Sequence, residues 1–110
     1  MKNEKIIDSI STQLLKNNYI VKIVSGCFDI VARNGSKIIL TKCAHDATYL
    51  SQELTEELKN IAYCIKATPI IVAEKAGKPL EDNVVYSRFN VYTVNPETFQ
   101  NAIMNHLPLL

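Results

Sequence analysis

Two charged side chains, Asp29 and Lys42, stand on either side of a tight-turn signal and are the residues best placed to do chemistry. The turn signal is Asn34-Gly35, which favours a two-residue β-hairpin turn because both residues tolerate positive φ. Pairing counted back from that turn puts Asp29 opposite Leu40, with Lys42 as a diagonal neighbour on the same face. A magnesium ion needs several oxygen ligands, and Asp29, Leu40 and Lys42 together offer a single carboxylate. These residues are therefore a poor magnesium site. The simplest interpretation is a partly buried Asp29 that pairs with Lys42 or with backbone donors.

Helical and extended patterns surround this hairpin in the order αβββαβββα. Apolar spacing predicts helices over residues 3–17 and 47–66, and Asn95-Pro96 predicts the start of a third. Asp46 is the expected N-cap of the second helix. Runs rich in β-branched residues predict strands over 19–24, 27–33, 37–43, 69–74, 84–86 and 91–94. The pattern indicates a mixed sheet, in which the strand after the second helix runs parallel to the hairpin's second strand.

Length and composition narrow the class of protein. A chain of 110 residues makes one compact domain. Its formal net charge is +1, which counts against a domain that binds DNA by itself, because phosphate neutralisation needs a basic surface. Cys27, Cys43 and Cys64 form no CxxC pair, so no zinc site can be assembled. No apolar stretch approaches the ~20 residues that span a bilayer. These features predict a cytoplasmic protein with reduced thiols and no membrane partner.

The order α, three strands, α, strand and the hairpin at residues 28–42 resemble the PD-(D/E)xK nuclease fold of restriction enzymes and archaeal Holliday-junction resolvases. The resemblance implies an α/β domain with a restriction-endonuclease-like αβββαβ core, its mixed sheet flanked by helices. In that family an Asp and an acid-x-Lys on the next strand hold a magnesium ion that activates water. Asp29 and Lys42 match two of these positions, and Leu40 stands where the second acid belongs. We therefore predict a degenerate site with no catalytic residue, no metal, no cofactor and no enzymatic activity.

Residues 25–33, 78–86 and 95–99 resemble stretches of archaeal proteins named as helix-turn-helix transcriptional regulators. The likeness covers nearly the whole chain and matches the N-terminal domain of that family, in which a helix-turn-helix module follows. Such a module needs two adjacent helices, and strands separate the helices here. The resemblance thus implies a single nuclease-like domain over residues 1–110, either part of a longer protein or a stand-alone version. Its DNA contact is expected mainly through a module outside this chain.

We predict a nuclease-like domain of a DNA-associated transcriptional regulator, which acts in dimerisation, regulation or auxiliary DNA contact. A homodimer is the expected assembly. Two alternatives stay open. The first is an active junction-type nuclease, which would take its second carboxylate from Glu74, Glu53 or Asp8. The second is a protein-interaction module that does not bind nucleic acid.

Four cations are the candidate contacts for an anion or for DNA: Arg33, Lys42, Lys78 and Arg88. Lys78 and Arg88 flank the acidic pair Glu81-Asp82 in a turn-rich loop. Loop residues that match a family pattern often contact a ligand, which is why this loop is included.

Overall fold

The structure, a computed structural model, describes residues 4–24, 26 and 28–104, and in them the chain forms three α-helices and seven strands. The helices are α1 (Glu4–Lys16), α2 (Gln52–Ile65) and α3 (Pro96–Met104). The strands are β1 (Ile20–Ile23), β2 (Ile30–Asn34), β3 (Lys37–Asp46), β4 (Thr68–Ala76), β5 (Lys78–Pro79), β6 (Tyr86–Arg88) and β7 (Val91–Val94). A 3-10 turn, Ala47–Tyr49, joins β3 to α2. Within this part of the chain, no helix is long and apolar enough to cross a membrane.

The strands form one mixed sheet with helices on both sides. The strand order is β1-β2-β3-β4-β7-β6, and β5 pairs with β4. Neighbours β3 and β4 run parallel, as predicted, and so do β4 and β7. Helices α1 and α3 pack on one side around Ile10 and Phe99, and α2 packs on the other side around Leu58 and Ile71. The predicted α/β fold with a mixed sheet flanked by helices is confirmed.

The first and last helices form where their local sequence predicts. In α1, Ile6, Ile10 and Leu14 recur every four residues and are buried against the sheet. At the start of α3, the side-chain oxygen of Asn95 accepts a hydrogen bond from the backbone N–H of Thr98 at 2.8 Å. Asn95 is therefore the N-cap, which leaves the following proline at the first helical position, where its missing N–H costs nothing.

The hairpin register differs from the prediction by two residues. The turn is Gly35-Ser36 instead of Asn34-Gly35, so Asn34 pairs with Lys37. Only the first turn residue, Gly35, has a positive φ, of 62°, which is the requirement of a type II′ turn. Because side chains alternate with a period of two, a two-residue shift changes the partners and keeps every side chain on its face.

The second helix begins later than predicted. Asp46 caps the short 3-10 turn, and Ser51 caps α2 by accepting a hydrogen bond from the N–H of Leu54 at 3.1 Å. The predicted start at residue 47 was wrong because a 3-10 turn comes first, and this segment buries Ala47 and Leu50. Apolar spacing could not separate this turn from the helix that follows it.

Towards the end of the chain the strand boundaries also move. A turn at Phe89-Asn90, with φ of 49° and 65°, joins the last two strands. The strand before it lies at Tyr86–Arg88, two residues later than predicted, because it must pair with β7 directly across that turn. The loop predicted after residue 74 is partly extended, since β4 runs to Ala76 and β5 folds back on it.

The carboxylate of Asp46 links the end of β3 to the 3-10 turn and to the loop after β4 by hydrogen bonds. We expect these bonds to make the free energy of unfolding depend on pH. Asp46 Oδ1 accepts hydrogen bonds from Thr48 N (3.0 Å), Thr48 Oγ1 (2.7 Å) and Gly77 N (3.1 Å). These bonds, chiefly those from Thr48, lower the pKa of Asp46 below its usual value. A carboxyl whose pKa is lower in the folded state stabilises the fold above its unfolded pKa of about 3.9, and this contribution is lost as the pH falls through the folded pKa.

The measurement is urea unfolding of the wild type and Asp46→Asn. The urea midpoint of the variant should be lower at neutral pH, and the difference should shrink in acid. Asp8→Asn, which removes an exposed carboxylate on α1, is the matched control. If Asp46→Asn lowered the urea midpoint by the same amount at neutral and at acidic pH, this role of Asp46 would be contradicted.

Candidate functional site

Asp29 and Lys42 form a nearly buried ion pair on the α2 side of the sheet. Lys42 Nζ lies 3.4 Å from Asp29 Oδ1 and 3.4 Å from the carbonyl oxygen of Gly26. Only 12% of the Asp29 side chain and 14% of the Lys42 side chain are exposed. The β2–β3 ladder ends at the Ile30–Thr41 pair, and Asp29 and Lys42 are the next residues of the two segments. The predicted register is corrected, and the predicted contact between Asp29 and Lys42 is present.

Asp29 also completes the hydrogen bonding of β3. The N–H of Cys43 points to the β2 side of β3, two positions beyond Thr41, the last residue that pairs with β2. Asp29 Oδ2 accepts this N–H at 2.9 Å, while its own backbone N–H donates to Thr41 O at 2.8 Å. Both carboxylate oxygens of Asp29 therefore have partners inside the protein, one neutral and one cationic. This arrangement fixes the carboxylate and leaves it little freedom to coordinate an ion.

Leu40, at the acid position of the motif, belongs to the hydrophobic core. Its side chain is fully buried among residues that include Leu58 and Ile71 under α2. Across the hairpin it pairs with Val31, not with Asp29 as predicted. A carboxylate at this position would lie in an apolar environment without donors, which disfavours its charged form.

The three alternative carboxylates lie apart from this pair. The carboxylate of Glu74 contacts the imidazole of His45 at hydrogen-bonding distance, and strand alternation puts both on the α1 side of the sheet, away from Lys42. Glu53 is exposed in the first turn of α2, and Asp8 is exposed on α1. Among the residues that the structure describes, no group of three or more His, Cys, Asp or Glu could hold a metal ion. The described residues thus do not fit the magnesium ion that the fold family uses.

Cys43 does not add a nucleophile to this site. Its thiol is buried on the α1 side of the sheet, in the same core as Ile10 and Phe99. Burial, with a smaller effect of the Asp29 charge, raises the pKa of Cys43 to about 12. A protonated, buried thiol is chemically inert at neutral pH.

The remaining predicted contacts lie in three different places. Arg33 is exposed beside the hairpin turn, where its Nε donates to Gly35 O at 2.9 Å. Lys78 is exposed in β5, at the opposite end of the sheet. The Nη2 of Arg88 donates hydrogen bonds to the carbonyl oxygens of Thr48 (3.2 Å) and Leu50 (3.0 Å). The structure therefore gives Arg88 a structural role and does not bring it together with Lys42.

Next to the ion pair lies a part of the sheet that α2 does not cover, which we call the open face. It lies on the α2 side of β1 and β2, where Ile20, Lys22 and Arg33 are exposed and the half-buried Val31 packs against the edge of the core under α2. Ile20 is 76% exposed, whereas Leu40 and Ile71 under α2 are fully buried. Sequence reasoning missed Ile20 and Lys22 as members of a site. Alternation along β1 could have put them on this face, but only the packing of α2 shows that the face is open.

The strand order, the flanking helices and the hairpin that carries Asp29 and Lys42 are those of a nuclease-like α/β domain. A family model described as the PD-(D/E)XK superfamily domain matches residues 3–109. The chain belongs to the PD-(D/E)XK superfamily, which confirms the resemblance seen in its hairpin.

Its relatives in sequence are archaeal. A "Putative HTH-type transcriptional regulatory protein" of Thermococcus kodakarensis is 33% identical over 111 residues, which cover 96% of this chain and 35% of that protein. A protein of the same name from Thermococcus gammatolerans is 32% identical over 108 residues, covering 94% of this chain and 34% of that protein. The predicted resemblance to regulators is confirmed. The chain spans about one third of the length of these curated relatives.

A solved structure shows the same fold. The chain superposes on Archaeoglobus fulgidus Hjc, a Holliday junction resolvase, with a TM-score of 0.59 and 23% sequence identity. The match covers 76% of this chain and 80% of that one. At this identity the likeness establishes the fold, since one fold hosts many functions.

One prediction is corrected by these comparisons. We predicted from Leu40 that the chain is not an enzyme. That prediction is wrong, because the chain belongs to the PD-(D/E)XK superfamily, the nuclease superfamily that its hairpin resembles. The loss of one motif acid does not by itself exclude nuclease activity.

Proposed function

We propose that this chain is a DNA-contacting domain of a transcriptional regulator and that the open face, with Lys42 at its edge, meets the DNA backbone. The observation that carries the proposal is the Asp29–Lys42 pair at the two motif positions of a PD-(D/E)XK fold, beside an uncovered part of the sheet. The names of the archaeal relatives support a regulatory context.

The charges of the open face favour an anionic ligand. Lys22 and Arg33 are its charged members, and the face carries no acid. Lys42 adds a third cation, which Asp29 holds in place from one side. Cations beside apolar surface on a sheet suit a sugar-phosphate backbone, because phosphate contacts position a protein on DNA without reading its sequence. Because three cations neutralise few phosphates, the open face by itself binds DNA weakly. Such binding suits a domain that works beside a dedicated DNA-binding module.

Two substitutions of opposite effect test the proposal. Lys42→Gln should weaken DNA binding and lower the salt slope, d log K/d log [salt], by about 0.9, which is the loss of one phosphate contact. Asp29→Asn should strengthen binding by roughly three- to tenfold, because it frees Lys42 and removes one repulsive charge. Fluorescence anisotropy with a linear duplex and a four-way junction measures both.

Controls separate these effects from net charge. Lys59→Gln and Asp8→Asn make the same charge changes away from the open face. Equal effects at the control positions, or weaker binding by Asp29→Asn, would contradict the proposed contact. Absence of DNA binding by the wild type at low salt would favour the protein-interaction alternative.

A second candidate function is a metal-dependent nuclease, which the superfamily and the preserved Asp29 and Lys42 favour. Titration of Mg²⁺ with labelled junction and duplex DNA distinguishes the two candidates. Cleavage that requires Mg²⁺ and disappears in Asp29→Asn would support the nuclease. DNA binding that Asp29→Asn strengthens, with no cleavage at any Mg²⁺ concentration, would support the contact function alone.

Two further parts of the proposal concern context. Homodimerisation stays a prediction, and sedimentation across a range of concentrations tests it. A cytoplasmic location also stays a prediction; the free thiols of buried Cys43 and exposed Cys64 are compatible with a reducing compartment.

A further inference from the structure

The end of the sheet at the β2–β3 turn carries exposed positive charge. Lys16 ends α1, Lys37 begins β3, and Lys66 caps α2. All three side chains are exposed. The sequence places no Asp or Glu near any of them, in residues 13–20, 33–38 or 62–70. We call the surface formed by Lys16, Lys37 and Lys66 the cationic end.

Strand register places Lys37 and Lys66 at the same end of the sheet. Ile39, two residues after Lys37, pairs with Thr68, the first residue of β4. Lys66 lies two residues before Thr68, at the C-cap of α2. Both lysines therefore lie at the end of the sheet opposite Asp46.

Lys16 reaches the same level from the other side of the hairpin. It lies four residues before Ile20, which pairs with Arg33 next to the β2–β3 turn. Lys16 ends α1 on one side of the sheet and Lys66 caps α2 on the other, so the three cations are distributed over both layers at this end.

Lys66 caps α2 in a strained backbone conformation. It adopts the left-handed conformation, with φ of 57° and ψ of 41°. Glycine is the residue that this position favours, because a Cβ is strained there.

We infer that the cationic end binds the phosphate backbone of duplex DNA and extends the contact that begins at the open face. Arg33 connects the two surfaces, because it belongs to the open face and lies beside the β2–β3 turn. The inference rests on the proposed DNA contact and adds the path of the duplex over the protein. In this arrangement the duplex runs from the Asp29–Lys42 pair along β2 and over the end of the sheet.

The experiment compares two triple variants with the same change in net charge. Lys16→Gln/Lys37→Gln/Lys66→Gln should reduce the salt slope by about 2.7, three times the 0.9 expected for each phosphate contact. Between about 50 and 200 mM salt, the affinity of this variant should then fall about 40-fold less than that of the wild type. Lys5→Gln/Lys59→Gln/Lys75→Gln, with all three changes away from the cationic end, should keep the wild-type slope. Anisotropy of a labelled duplex gives both values.

A single variant separates binding from folding. Lys66→Gly should keep or raise the thermal unfolding midpoint, because it relieves the left-handed backbone, and should reduce the salt slope by about 0.9. A lower midpoint with an unchanged slope would overturn the role of Lys66.

The outcomes distinguish this inference from the proposed function. Wild-type binding whose salt slope is unchanged in the cationic-end variant, or equally reduced in the control variant, overturns the inference and leaves the open-face contact standing. A wild type that binds neither duplex nor junction at low salt overturns both. Loss of binding to phosphatidylserine vesicles in the cationic-end variant, with DNA binding unchanged, would assign this surface to a membrane and overturn the inference.

Discussion

Leu40→Glu, which restores the missing motif acid, is expected to lower the free energy of unfolding by about 4 kcal/mol or more. Truncation of a buried leucine alone costs about 2–5 kcal/mol, and the new carboxylate would also lie without donors in an apolar core. Leu40 is fully buried among Leu58, Ile71 and their neighbours under α2. Since a domain of this size is stable by roughly 5–15 kcal/mol, the variant should be close to unfolding at room temperature.

Urea unfolding followed by circular dichroism measures this loss. Leu40→Met, which preserves volume and polarity, should cost less than about 1.5 kcal/mol. Ile20→Glu makes the same apolar-to-acid change on the same side of the sheet, where the side chain is 76% exposed, and should stay within about 0.5 kcal/mol of the wild type. A Leu40→Glu variant with wild-type stability would show that the core accepts an acid here, and Mg²⁺ binding should then be measured on it.

Arg88→Ala is expected to lower the free energy of unfolding by about 2–4 kcal/mol. The Arg88 guanidinium donates to the carbonyl oxygens of Thr48 and Leu50, which immediately precede α2. It also lies over the Phe89 ring, 4.9 Å from the centroid. Removing it leaves two carbonyls without their donor and separates the edge strand β6 from the start of α2. For a domain of this size the melting temperature should fall by roughly 10–20 °C.

Two variants complete this test. Arg88→Lys keeps the charge but offers a single ammonium in place of the planar fork, so it should recover less than half of the loss. Arg33→Ala removes an arginine from an exposed turn and should change stability by less than about 0.5 kcal/mol. A melting temperature for Arg88→Ala within a degree of the wild type would contradict the structural role and return Arg88 to the candidate anion contacts.

The roles of Leu40 and Arg88 depend on contacts between segments that are distant in sequence. The motif comparison identified Leu40 as a departure, and the structure supplies the reason, because α2 packs on this part of β3. Arg88 was a candidate anion contact, since its sequence neighbours form a polar loop. Its actual partners lie about 40 positions earlier in the chain, and no local pattern points to them.

The Asp29–Lys42 contact was predicted although the register behind it was wrong. A strand alternates with a period of two, so the faces of Asp29 and Lys42 survive a two-residue change in pairing. The turn type decides the register, and Asn34-Gly35-Ser36 allows either a type I′ or a type II′ turn. The choice between them follows from how the whole hairpin packs against α1 and α2.

The sequence by itself determined the order of helices and strands except for β5, the N-cap at Asn95, the hairpin and the two motif residues on one face. These follow from local periodicity and local hydrogen bonding, which need only neighbouring residues. Tertiary structure decided the register, the burial of Leu40, the partners of Asp46 and Arg88, and the distribution of charge. The net charge of +1 says nothing about position, whereas folding brings Lys16, Lys37 and Lys66 to one end of the sheet. Charges act on a ligand through their positions in space, and long-range strand pairing sets those positions.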